Sequence, residues 1–265
     1  MIRIILISAL LFLVSCSSQE VGDLKRAQSE ASEGRYASAL SFYDRVIKRN
    51  APTQYPLIAA REASRLSFFQ VKDYPKTLEY LHFIVLHSPD EKERLEVQKQ
   101  IAAINFNNLQ NYQVAIVEYS KLQQMHHTDQ EAAQYKMNLA RAHYYLNNFF
   151  QAESEIDGLL KLKADDDTRF SALMLKGNIL VGKKEYTKAA DIFKSLIANY
   201  PEKSMQENVG LTLAVCYEEN SNYKEAIKVL ENYRGKYNPP EYIELRIKRL
   251  QERQRNAPGA KGFRK

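Results

Sequence analysis

Cysteine is nearly absent from this sequence: Cys16 and Cys216 are the only two in 265 residues. That is too few for a disulfide framework, and Cys216, inside the apolar stretch Leu211 to Tyr217, reads as a small buried hydrophobe. The nine glycines build no phosphate cradle, since Gly182-Lys183-Lys184 lacks the upstream glycine and the following hydroxyl of a P-loop. No Gly-x-Ser-x-Gly elbow occurs. The five histidines, His82, His87, His126, His127 and His143, form no His-Glu-x-x-His pair and have no cysteine partner, which argues against zinc. Asp165-Asp166-Asp167 has no further ligands at calcium-loop spacing and reads as a helix start, where carboxylates complement the dipole. The apolar run Ile4 to Val14 has eleven residues, against about 20 needed to span a bilayer. The carboxylates are scattered over helix faces. No catalytic residue, metal or cofactor is expected, and the chain does not read as an enzyme.

What the sequence does have is a ladder of aromatics: Tyr36, Tyr74, Tyr112, Phe149, Tyr186 and Tyr223, separated by 38, 38, 37, 37 and 37 residues. Three residues after each comes Ala39, Thr77, Ala115, Ala152, Ala189 or Ala226. Four further on lies Tyr43, Leu81, Tyr119, Ile156, Phe193 or Leu230. Self-similarity at this period marks a solenoid, whose single unit cannot bury its apolar face alone. Each unit reads as two amphipathic helices, so twelve repeat helices and one cap are expected, with no strand. Ser88-Pro89-Asp90-Glu91, Thr128-Asp129-Gln130-Glu131 and Ser204-Met205-Gln206-Glu207 fit capping boxes, and Pro89 fits a first helical position.

The repeats resemble the tetratricopeptide repeat. The fourth shows it in Leu139-Ala140, Leu146, Phe149, Ala152, Ile156 and Leu159. The fifth shows Gly177, Leu180, Tyr186, Ala189, Phe193, Leu196 and Pro201, and the sixth Ala214, Tyr217, Tyr223, Ala226 and Leu230. The resemblance implies an all-α, right-handed superhelical solenoid of six helix pairs over residues 23–240. In it, small residues let the paired helices approach, and the aromatic fills the wedge between them. The second repeat departs from the pattern, with Arg65 where a small residue belongs. Residues 241–255, with Ile243, Ile247 and Leu250 on one face, read as a capping helix.

The N-terminus adds an address. Arg3 and the short apolar run describe a secretory signal over residues 1–15, and Leu13-Val14-Ser15-Cys16 resembles a bacterial lipobox. The resemblance implies acyl chains on Cys16, which anchor a protein without spanning the membrane. Ser17 resembles the sorting residue of Gram-negative outer-membrane lipoproteins, implying a protein that faces the periplasm. Residues 16–22 read as the lipidated cysteine and a tether of at most about 20 Å. The long period and the ending Asn199-Tyr200-Pro201 resemble envelope members of the family. Among these are the repeat lipoprotein of the β-barrel assembly machine and the Tol-Pal-associated periplasmic coordinator.

The net charge is +6. Residues 241–265 hold eight Lys or Arg and three Glu, so without these and Arg3 the repeat body is formally neutral. Nucleic acid is thereby disfavoured as a partner, and residues 256–265 read as a disordered basic tail. In this family the first helix of each unit lines the concave face. The matching positions include Leu66 and Phe69, Ile104 and Asn107, Gln134, Met137, Arg141 and Tyr144, then Met174 and Asn178. Arg141, Tyr144 and Asn178 are expected on one wall, over a floor of Met137 and Met174. The reading is a protein-binding scaffold whose groove takes envelope proteins or peptides. The alternative is a cell-wall or anionic-surface module acting through the basic tail.

Overall fold

The computed structural model describes residues 19–125 and 128–256. Cys16 and the signal segment 1–15, His126 and His127, and the tail from 257 lie outside the described residues. The chain divides into two compact units, 1–125 and 126–265. Among the described residues every regular element is a helix, and none is long and apolar enough to cross a membrane.

The first unit contains α1 over residues 19–32, α2 (Tyr36–Arg49), α3 (Tyr55–Leu66), α4 (Tyr74–His87), α5 (Glu91–Ala103) and α6 (Tyr112–Gln124). The second contains α7 (Asp129–Tyr145), α8 (Phe149–Leu160), α9 (Asp166–Gly182), α10 (Tyr186–Asn199), α11 (Pro201–Gln206), α12 (Val209–Glu219), α13 (Tyr223–Glu231) and α14 (Pro240–Asn256). Every ladder aromatic is the first residue of a second helix: α2, α4, α6, α8, α10 and α13. The six small residues that follow are at most 1% exposed, and the six large ones at most 5%. Full burial of one such large side chain contributes roughly 1.5–3 kcal/mol.

The turn that delivers each aromatic has a common form. Two residues before it stands a left-handed residue: Gly34, Lys72, Gln110, Asn147, Lys184 or Ser221, with φ between 52° and 77°. The next N–H then reaches back to a carbonyl of the first helix, as in Asn148 to His143 (2.8 Å), Glu185 to Leu180 (2.8 Å) and Asn222 to Tyr217 (2.7 Å). This is the hydrogen bond of a Schellman ending. In the second and third repeats the closure is one residue longer, Asp73 to Ser67 (3.1 Å) and Asn111 to Asn105 (2.8 Å). There α3 and α5 run on into single π turns, Ser67–Val71 and Ile104–Asn108. The added residue accounts for the two 38-residue intervals.

It also shifts the register upstream. The small slot filled by Ala140, Gly177 and Ala214 falls to Ser64 and Ala102, which are 6% and 0% exposed. Arg65 is exposed rather than wedged between helices. Ile104, expected on the groove, is only 4% exposed yet does line the first unit's cavity, whereas Leu66 packs against the cluster around Ala63 and Tyr80.

Three local expectations change as well. The capping box at Thr128 and Glu131 forms, with bonds of 2.9 and 3.2 Å. At the second site Asp90 caps α5 and Pro89 lies before the cap, while Ser88 ends α4 and binds Glu93. Asp90 sits one residue from the helix and its carboxylate reaches Lys92 N–H at 2.9 Å, so it displaces the more distant serine. Ser204 lies inside α11, which already begins at Pro201. The sixth repeat's first helix is therefore broken, with Asn208 left-handed (φ 55°) between α11 and α12. Finally, residues 19–22, read as tether, are helical, and Glu20 accepts a 2.9 Å hydrogen bond from Thr53. The cap behaves as expected: Ile243, Ile247 and Leu250 bury against Ala214, Ala226 and Leu230.

Candidate partner-binding grooves

In the second unit, α7 and α9 are first helices of consecutive repeats. Arg141 and Tyr144 from α7 and Met174 and Asn178 from α9 line one cavity of about 380 Å³. The capping at both helix starts fixes the helices axially: Thr128 closes the first, and the Asp165 carboxylate accepts from Thr168 N–H at 2.7 Å to close the second. That contact, with a further hydrogen bond from Gln130, holds the Asp165 carboxyl below its usual range. The small slots in these helices, Ala140 and Gly177, bring their second helices close and leave the opposite face for the cavity.

Arg141 is shared with a neighbouring cavity of about 280 Å³, which Gln134 and Met137 also line. Met137 is only 6% exposed and belongs to the core, so it offers an edge rather than a floor. Six residues lining the larger cavity were not anticipated, among them Tyr145, Lys203 and Glu207. Tyr145 is 53% exposed, and its ring stands 5.9 Å from that of Tyr144. Lys203 enters from α11 and Glu207 from the break that follows it. Lys203 pairs with Asp167 and stands 4.7 Å over the Phe170 ring. The sequence signal for the break is Asn208 itself, a type that takes the left-handed conformation readily.

Phe69 and Asn107 lie in the first unit, where they line a different cavity of about 540 Å³ with Arg65, Gln100 and Asn108. Both π turns feed this cavity, Ser67–Val71 through Phe69 and Ile104–Asn108 through the two asparagines. Phe69 is 66% exposed and meets Phe68 edge-on at 4.9 Å, while Phe68 meets the ladder residue Tyr74 at 5.6 Å. The eight expected groove residues thus fall into two sets, two in one unit and six in the other, each with its own cavities.

The titratable groups behind these surfaces are structural. Burial pushes the Cys216 thiol up to about 11, which keeps it protonated and inert. Burial also lowers the pKa of His143, whose Nδ1 is enclosed in α7 without a partner. Chemically the grooves offer guanidinium, amide and phenol groups beside apolar surface. Such sets hold peptides by hydrogen bonds and packing.

Residues 137–204 match the family model described as tetratricopeptide repeat. The chain has a tetratricopeptide-repeat fold. Solved structures agree over most of its length. A tetratricopeptide repeat protein from Parabacteroides merdae is similar at TM-score 0.53 and 14% identity, covering 89% of this chain and 88% of that one. PilW, a widely conserved type IV pilus biogenesis factor, is similar at TM-score 0.54 and 12% identity, covering 86% and 98%. None of the curated proteins matches the sequence. This fold is consistent with contacts between proteins, and the two grooves expose Arg, Tyr, Asn and Phe side chains.

Proposed function

We propose that this chain is a non-catalytic scaffold of the bacterial envelope. Acyl chains on Cys16 hold it to the outer membrane, facing the periplasm, and its grooves dock proteins engaged in assembling β-barrels, pili or cell-wall machinery. The observation that carries the binding role is the cavity in which Arg141, Tyr144, Met174 and Asn178 converge from two successive repeats. Arg and Tyr are the residue types that dominate binding energy at such surfaces, and methionine adapts to partner shape. The lipobox-like Leu13-Val14-Ser15-Cys16 supports the address.

The lipidated protein, captured from membranes with its partners, tests both parts. Replacing Arg141 and Tyr144 together by alanine should lower partner recovery by roughly thirtyfold, the loss that accompanies about 2 kcal/mol. Full retention of every partner would remove this groove from the reading. Cys16→Ala should yield an uncleaved or soluble precursor. If that variant still needed detergent rather than salt for extraction, the lipid anchor would be refuted.

A further inference from the structure

The capping helix presents a surface that the grooves do not use. α14 buries Ile243, Ile247 and Leu250 against the last repeat. On an adjoining face Tyr242, Arg246, Arg249 and Arg253 recur at spacings of four, three and four, which aligns them along the helix. With Glu218 and Tyr223 of the sixth repeat they enclose a concavity of about 710 Å³. Arg246 is its recessed member, with a side chain 16% exposed and Nη2 3.5 Å from Glu218. Arg253 donates to the same carboxylate at 2.5 Å. One carboxylate therefore engages two guanidiniums, and Arg249 on the exposed edge brings a third. Glu252 is the second acid in the lining, which leaves the concavity net positive. Its flank is apolar, since Leu245 and Tyr242 are 49% and 44% exposed.

We propose that this concavity docks an acidic segment of a partner protein. A carboxylate of the segment sits between Arg249 and Arg253, and a neighbouring large apolar side chain lies against Leu245 and Tyr242. Charge complementarity selects the occupant, and shape selects its class. Guanidiniums bind carboxylates through a planar fork, and Glu218 already occupies part of that arrangement from within the chain. A membrane or polymer surface would draw on every exposed cation of α14 alike. Lys248 and Arg255 lie outside the concavity and serve as the comparison. The proposal stands apart from the groove on α7 and α9 and from the lipid anchor, so it can fail or hold without them.

The test is a short-peptide phage library panned against the full chain. Enriched peptides should carry Asp or Glu beside a large apolar residue. A chain with Arg249→Glu and Arg253→Glu, folded by circular dichroism, should bind them at least about tenfold more weakly, whereas Lys248→Glu with Arg255→Glu should bind as the parent does. Arg249→Lys with Arg253→Lys keeps the charge, loses the fork and should fall between. Enrichment without acidic residues, no enrichment at all, or undiminished binding by the first pair would overturn the proposal. So would equal losses from both reversal pairs, above all if vesicles of phosphatidylglycerol bind with the same pattern, which would assign the face to an anionic surface.

Discussion

Gly177 of α9 and Phe193 of α10 interlock so closely that a Cβ on the glycine would stand 2.5 Å from two carbons of the ring. Phe193 is fully buried, so the ring fills the volume that any larger residue at 177 would claim. Alanine favours a helix over glycine by about 1 kcal/mol, yet Gly177→Ala should lower stability by about 1–3 kcal/mol because overpacking wins. Urea unfolding would measure it. Phe193→Leu in the alanine background should recover part of the loss, since neighbours in contact are not additive. Ala189→Trp and Ala226→Trp, at fully buried positions, should reach the upper end of the same range.

The sixth repeat solves the same packing problem with a polar bond. A Cβ on Gly210 would meet the Tyr233 ring at 2.5 Å, and the Gly210 N–H donates to the Tyr233 hydroxyl at 2.9 Å. That N–H lies in the first turn of α12, where the broken helix leaves it without a partner of its own kind. Burial raises the pKa of the phenol, which therefore stays protonated. Tyr233→Phe keeps the ring and strands a buried donor. The expected cost is about 1–3 kcal/mol; an unchanged melting temperature would mean that water reaches Gly210.

Much of this was legible in advance, for a packing reason. A repeat that buries the same three positions must repeat their sizes, so the ladder, the small residues and the large ones stand out and mark six second helices correctly. The turns were not legible. Of the six left-handed residues, Gly34 and Asn147 are types that favour that conformation, whereas Lys72, Gln110, Lys184 and Ser221 send no such signal. Closure of the first helix by a hydrogen bond, not residue type, imposes it. The groove was half legible. Counting back from the aromatic finds Arg141 and Asn178, where the turn has its usual length. The same count fails at Leu66, and at Ile104 it finds a cavity-lining side chain that is nearly buried, because a π turn has added a residue in each helix.

His143 gives the second unit an acid-sensitive element. Burial lowers its pKa below the ordinary value of 6.5, with Glu155 opposing to a lesser degree. The unfolded chain therefore takes up the proton first as pH falls. Stability from the neutral ring is fully present above about pH 6.5 and is lost as pH drops toward the lowered folded value. The melting temperature should decline as pH falls below about 6.5, and His143→Gln should flatten that decline. An identical slope in the variant would place the sensitivity elsewhere.

Two adjacent alanines decide the register of the third repeat. Counting nine residues back from the ladder aromatic leads from Phe149 to Ala140, from Tyr186 to Gly177 and from Tyr223 to Ala214, all small. From Tyr112 the same count leads to Ala103, and from Tyr74 to Arg65. The π turns displace this slot by one, so Ala102 is fully buried while Ala103 lines the cavity that holds Asn107. Ala102→Leu should therefore force α5 away from its neighbours and cost about 1–3 kcal/mol. Ala103→Leu should project into the 540 Å³ cavity and change stability by no more than about 0.5 kcal/mol. The two variants share composition, helix propensity and added volume, so their difference in urea midpoint reads position alone. Equal losses, or a larger loss at 103, would mean that α5 ends in an ordinary turn. In that case the π-turn explanation of the 38-residue intervals fails with it.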